Sequence, residues 1–139
     1  MIQIIAGKKG KGKTKYLLAK VNSEIKSACG NFVYLDKNTK HMYELNNRVR
    51  LINMSEFSIM NSEQFIGFVY GIISQDNDLE QMYLDSFLTI AKAENTDITS
   101  TLNSLEEISN KYNFVLVLSI SLDENELPES FKSKVVISL

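Results

Sequence analysis

The sequence predicts an α/β fold, a three-layer sandwich in which a mostly parallel sheet of five to six strands is flanked by helices. Three observations carry that expectation. Short apolar runs alternate with longer stretches of helical periodicity, the pattern left by strand–helix–strand crossovers. The strongest run, 113–121 (Asn-Phe-Val-Leu-Val-Leu-Ser-Ile-Ser), is apolar almost without interruption, as a strand covered on both faces must be. One proline and six glycines in 139 residues favour regular elements over a loop-rich scaffold. The length suits a single domain over 1–139.

The elements follow in order. Residues 1–6 (Met-Ile-Gln-Ile-Ile-Ala) read as a buried strand. Over 14–28, apolar positions 17, 18, 21, 25 and 28 share one helical face, and Gly30 and Asn31 stop the helix. Residues 31–36 (Asn-Phe-Val-Tyr-Leu-Asp) predict a second strand, 37–47 a polar loop, and the alternating 48–54 a third strand. Residues 62–75 are apolar on most sides and predict a helix packed on the sheet. Its Gly67 and Gly71 permit close backbone approach, but the run is too short for a membrane dimer motif. A fourth strand is expected over 79–86 and a short helix over 87–93. Asp97 or Thr99 is suited to cap a helix bearing Ile98, Leu102, Leu105 and Ile108 on one side. After the 113–121 strand, Pro128 opens a single helical turn and 134–139 closes as a sixth strand.

Composition narrows the class. The chain is 44% hydrophobic, enough to bury a core, and 23% charged, which excludes collagen-like, disulfide-framework and disordered chains. A lone Cys29 cannot form an internal disulfide and is read as structural. No apolar stretch reaches the roughly 18 residues of a membrane span. The lysines follow the first apolar run, the wrong order for a secretory signal. A cytoplasmic location is the expectation. The net charge of −2 hides an asymmetry. Residues 1–50 hold eleven basic side chains against Glu24, Asp36 and Glu44, a balance of +8; residues 51–139 hold four against fourteen, a balance of −10. A phosphate-bearing partner for the N-terminal third and mutual neutralisation within the fold both account for this.

The most informative motif follows the first strand. Gly7-Lys8-Lys9-Gly10-Lys11-Gly12-Lys13-Thr14 satisfies G-x-x-x-x-G-K-[ST] in full. A chain that leaves a strand, wraps a phosphate and enters a helix needs glycine's backbone freedom. Successive N–H groups then form an anion nest at a helix N-terminus. Residue frequencies alone would produce the match in a chain of this length at about half a percent.

The motif resembles the Walker A sequence of the P-loop NTPases, over residues 2–20. The resemblance implies a P-loop fold of the additional-strand, RecA-like type, and a nucleoside triphosphate ligand, ATP preferred over GTP, with Mg²⁺. It implies that the backbone of Gly7–Thr14 holds phosphates, that Lys13 bridges the β- and γ-phosphates, and that Thr14 gives its hydroxyl to Mg²⁺. Lys8, Lys9 and Lys11 occupy variable positions and either add positive charge around the anion or stand solvated.

A Walker B carboxylate should end an apolar strand beside the loop. Tyr34-Leu35-Asp36 and Tyr83-Leu84-Asp85 both offer one. Asp85 is preferred, because the additional-strand group places a strand between the loop strand and the Walker B strand; Asp36 should lie further out. The family's usual catalytic glutamate has no counterpart in Asp85-Ser86-Phe87, and Glu56 replaces it by position only. Ser119 or Ser121 could contact the γ-phosphate. Arg48 and Arg50 share a face if their segment is a strand, and either serve a neighbouring subunit, hold a phosphate of a ligand or stand as ordinary edge-strand charges. The lack of arginine after residue 50 argues against a small-molecule kinase. His41 has no second histidine or cysteine nearby, which removes a transition-metal site.

The expected activity is slow or partner-dependent hydrolysis acting as a regulatory switch on a protein partner or through a homo-oligomer. The alternatives are a small phosphotransferase and a non-catalytic phosphate-binding interaction module. Nucleic acid is disfavoured, since no basic stripe is interleaved with aromatics; a membrane partner is not expected.

Overall fold

The apolar runs become six strands, and every pairing between them is parallel. The computed structural model describes residues Met1–Leu139. The strands are β1 (Ile2–Ala6), β2 (Asn31–Asp36), β3 (Val49–Asn53), β4 (Leu79–Leu84), β5 (Val115–Ile120) and β6 (Val135–Ser138). They lie in the order β3-β2-β4-β5-β1-β6. The helices are α1 (Lys13–Glu24), α2 (Ser62–Ser74), the single turn α3 (Phe87–Ile90) and α4 (Thr99–Lys111).

Two apolar clusters lie on opposite faces of the sheet. On one, Leu17, Val21 and Ile25 from α1 and the turn after it pack on Ile5, Phe32, Tyr34, Tyr83 and Val117. On the other, α2, α3 and α4 bring Phe65, Val69, Phe87, Leu102 and Leu105 onto Ile4, Val33, Leu84, Leu116 and Leu118. Strands with apolar side chains on both faces can be covered by helices on both, which yields the three layers.

Three expectations are refined. The helix over 14–28 ends at Glu24 and tightens into a 3-10 turn, Ile25–Ser27, before the glycine. The start of α4 is organised by Asp97, whose carboxylate accepts from the Thr99 N–H at 3.0 Å and hydroxyl at 2.6 Å. The helical turn after Pro128 is longer than one turn, a 3-10 stretch over Glu129–Lys134.

The strand order sets the site. β5 lies between β1 and β4, so the strand carrying the Gly-Lys-rich loop is separated by one strand from the strand that leads into Asp85. The connection from β1 crosses to β2 on one side, whereas the connection from the adjacent β5 runs the opposite way to β6, and such a reversal opens a crevice at the strands' carboxyl ends.

Candidate phosphate-binding site

The loop between β1 and α1 is shaped by glycine where the backbone demands it. Gly10 and Gly12 both have φ of +87°, a left-handed conformation that side chains rarely adopt. Gly12 is also the residue before α1, so the left-handed step turns the chain into the helix. The Lys15 N–H bonds the Gly12 carbonyl at 3.2 Å, and the first N–H groups of a helix, which lack partners within it, are suited to receive an anion.

Lys13 is buried, and its ammonium reaches back over the loop to donate to the Lys8 carbonyl at 3.1 Å. Burial pulls its pKa below the ordinary lysine value, and the Asp85 carboxylate opposes that shift. Lys9 lines the cavity in front of the loop. Lys8 turns away, pairing with Glu126 and standing 3.8 Å from Asp123 in the connection after β5. Lys11 is exposed. Of the three variable lysines, only Lys9 therefore adds its charge to the cavity wall.

Asp85, 2% exposed, is the hub of the site. Its Oδ1 accepts from the Thr14 hydroxyl at 3.2 Å and the Ser119 hydroxyl at 2.9 Å, and its Oδ2 accepts from the Tyr34 hydroxyl at 2.7 Å. Ser119 in turn accepts from the Ser86 N–H at 2.9 Å. Four elements are thus tied to one carboxylate: α1, β2, β5 and the turn after β4. Burial and the neighbouring carboxylate raise the Tyr34 pKa, so the phenol stays protonated and donates.

The two Tyr-Leu-Asp segments lie side by side in register, Tyr34 against Tyr83 and Leu35 against Leu84. Tyr34 was not singled out from sequence, although the repeated tripeptide was its signal. Asp36 ends β2 and is equally buried. It accepts from the Lys37 N–H at 2.7 Å through Oδ1, while Oδ2 is enclosed without a partner. Burial, then the nearby Asp85 charge, pushes its carboxyl up to about 6.

Other residues fall elsewhere. Glu56 lines a groove between β3 and α2 on the outermost strand's side, and Arg50 lines the same groove. Arg48 donates to the Ile25 carbonyl at 3.1 Å, beyond the end of α1. The two arginines therefore do not act as a pair: Arg48 precedes the strand and turns to α1, while Arg50 faces α2. None of the three lines the cavity at the loop.

That cavity has a volume of about 680 Å³. Besides the loop, Asp85, Ser119 and Ser121, it is walled by the segment after β4, including Thr89, Glu94, Asn95 and Thr96. Glu94 and Asp85 are its only carboxylates. The wall is built on left-handed turns at Ser86, Lys92 and Asn95, all non-glycine. Such conformations are sparsely populated and concentrate at functional sites. Polar turn residues without periodicity offered no sequence signal for this wall.

The donor set suits a hard cation. Thr14 and Asp85 present neutral and anionic oxygens at the helix start, the arrangement in which Mg²⁺ keeps waters and takes phosphate oxygens as further ligands. No three His, Cys, Asp or Glu side chains converge into an all-protein cage for a metal ion. No helix is long and apolar enough to cross a membrane.

No protein-family model matches the chain, and no curated protein matches it in sequence. Solved structures do match in shape. A KaiC-like protein from Pyrococcus horikoshii aligns with a TM-score of 0.59 at 15% identity, over 85% of this chain and 61% of that one. The flagellar accessory protein FlaH from Methanocaldococcus jannaschii aligns with a TM-score of 0.60 at 13% identity, over 93% of this chain and 63% of that one. These likenesses establish the fold. The chain spans less than two thirds of either structure's length. The parallel α/β sheet flanked by helices is the architecture it shares with both.

Proposed function

We propose that this chain binds a nucleoside triphosphate, ATP in preference to GTP, with Mg²⁺ at the loop Gly7–Thr14, and hydrolyses it slowly as a regulatory switch on a partner. The observation that carries this reading is the convergence of three groups. Lys13 is folded over a glycine-shaped loop, Thr14 lies in the first turn of the following helix, and Asp85 holds the Thr14 hydroxyl. The loop amides would bind the phosphate tail and Lys13 would neutralise its terminal groups. Mg²⁺, when bound, would offset charge on the β- and γ-phosphates, with the Thr14 hydroxyl and the Asp85 carboxylate as the protein groups that hold it. Ser119, fixed by Asp85 and the Ser86 N–H, would keep Asp85 oriented rather than contact phosphate.

Slow turnover has a structural basis in this reading. The free oxygen of Asp36 is enclosed, and Glu56 and both arginines lie outside the cavity. Glu94 is left as the carboxylate to take the proton of an attacking water. It is exposed, on a turn that a bound partner could immobilise. A second reading, transfer to an acceptor, is favoured by the cavity's extension along 86–96, beyond the loop itself. Labelled ATP separates the two by whether label leaves as free phosphate or on an acceptor.

The binding claim is tested by thermal unfolding with ATP, GTP or ADP plus Mg²⁺. A ligand at about 100 times its dissociation constant should add about 2.7 kcal/mol. A melting temperature that none of the three raises would favour the non-catalytic alternative.

A further inference from the structure

The two edges of the sheet are finished differently. At the β6 edge the register against β1 shifts between Ile4 and Ile5, and Lys132 and Lys134 precede the strand. Irregular pairing and nearby lysines are devices that discourage another strand from adding on. β3 has basic residues as well, Arg48 just before it and Arg50 within it, but its pairing is regular. It pairs with β2 at five successive positions without a shift, contains no proline, and has no strand on its other side.

Beside this edge lies a groove of about 500 Å³ between β3 and α2. Phe57, 46% exposed, and Phe68 stand in it with ring centroids 5.1 Å apart. Met60, next to it in the chain, is 74% exposed. No side chain from Gln64 to Gln75 is charged, so most of the outer face of α2 presents glycine, glutamine, serine and tyrosine to solvent. This is a surface of low charge, with Phe57 and Met60 as its exposed apolar side chains, on a chain that is otherwise richly charged.

The charges at its margin are of opposite sign. Arg50 and Glu56 both line the groove, both are exposed, and neither takes part in any ion pair of the structure. A surface that carries one charge of each sign can match itself across a two-fold axis, because rotation brings each charge to its opposite. We propose that this face is the self-association surface: a second copy of the chain docks on the groove about a two-fold axis. The Phe57–Phe68 pairs meet in the interior, and Arg50 of each copy faces the partner's Glu56. This inference does not depend on the nucleotide reading.

Charge exchange tests it. Sedimentation velocity is run on the wild type, Arg50→Glu, Glu56→Arg and the double exchange at about 1–100 µM. The wild type is expected to dimerise in this range. Each single exchange places like charges together at both ends of the axis and should weaken the dimer about tenfold or more. The double exchange restores opposite signs and should recover the wild-type constant to within about threefold. Phe57→Ser should weaken the dimer without altering the far-ultraviolet circular dichroism. A wild type that stays monomeric throughout overturns the proposal. So do single exchanges without effect, or a double exchange no better than the singles.

Discussion

The Thr14 hydroxyl lies 3.2 Å from Asp85 Oδ1, joining the first turn of α1 to the end of β4 across 71 residues of sequence. The same oxygen accepts from Ser119, and the second oxygen accepts from Tyr34. The site is held by hydroxyl groups that all donate to one carboxylate.

Tyr34→Phe isolates one of these bonds. The substitution keeps the ring in its stack with Tyr83, at 6.1 Å between centroids, and removes only the donor to Asp85. A buried carboxylate oxygen left without its partner should lower stability by about 1–3 kcal/mol in urea denaturation. An unchanged midpoint would mean that this bond does not support the site.

Asp36→Asn should change stability in a pH-dependent way. The wild-type carboxyl keeps its proton up to about 6 in the fold, against 3.8 for the ordinary group, through burial and the Asp85 charge. The folded state therefore binds more protons than the unfolded state between these values, and the wild type loses stability as pH rises through that window. The loss should amount to about 3 kcal/mol. Asparagine carries no charge and escapes it. Denaturation curves should nearly coincide near pH 4 and diverge in favour of the variant near pH 8. A variant less stable than wild type at the higher pH would contradict the assignment.

Glu94→Gln separates binding from turnover. The side chain lines the cavity but touches neither the loop nor Asp85 through any hydrogen bond of the structure. Nucleotide affinity should stay within about twofold, while kcat for phosphate release should fall about 100-fold if Glu94 accepts the proton. Equal rates for the two proteins would leave the reaction to another base.

Much of this was legible from the sequence because local chemistry decided it. The Gly7–Thr14 loop and the uninterrupted apolar β5 depend on neighbouring residues, and they fold as their residues suggest. Asp85 was preferred over Asp36 on an expected strand arrangement, and β5 does lie between β1 and β4. Glu56 shows what sequence could not convey. It follows a strand end, the position of a catalytic carboxylate in this kind of sheet, but that strand is β3, with β2, β4 and β5 between it and β1. Strand order depends on which helices cross which face, and no local pattern records it. Lys8 illustrates the same limit at the scale of one side chain. Its partner Glu126 is 118 residues away, so a lysine that looked available to phosphate is engaged by the connection after β5. The wall around Glu94 carries little sequence signal: Asn95 is a common turn residue in any loop, and the left-handed turn at Lys92 uses a residue with no preference for it.

The central claim is that the loop holds a triphosphate through Lys13. Calorimetric titration of ATP with Mg²⁺ into the wild type and into Lys13→Ala tests it most directly. Saturable one-to-one binding is expected for the wild type, and the variant should lose at least about tenfold in affinity, about 1.4 kcal/mol, while remaining folded. Equal affinity in the two proteins, or no heat of binding to the wild type at any nucleotide concentration, would contradict the account.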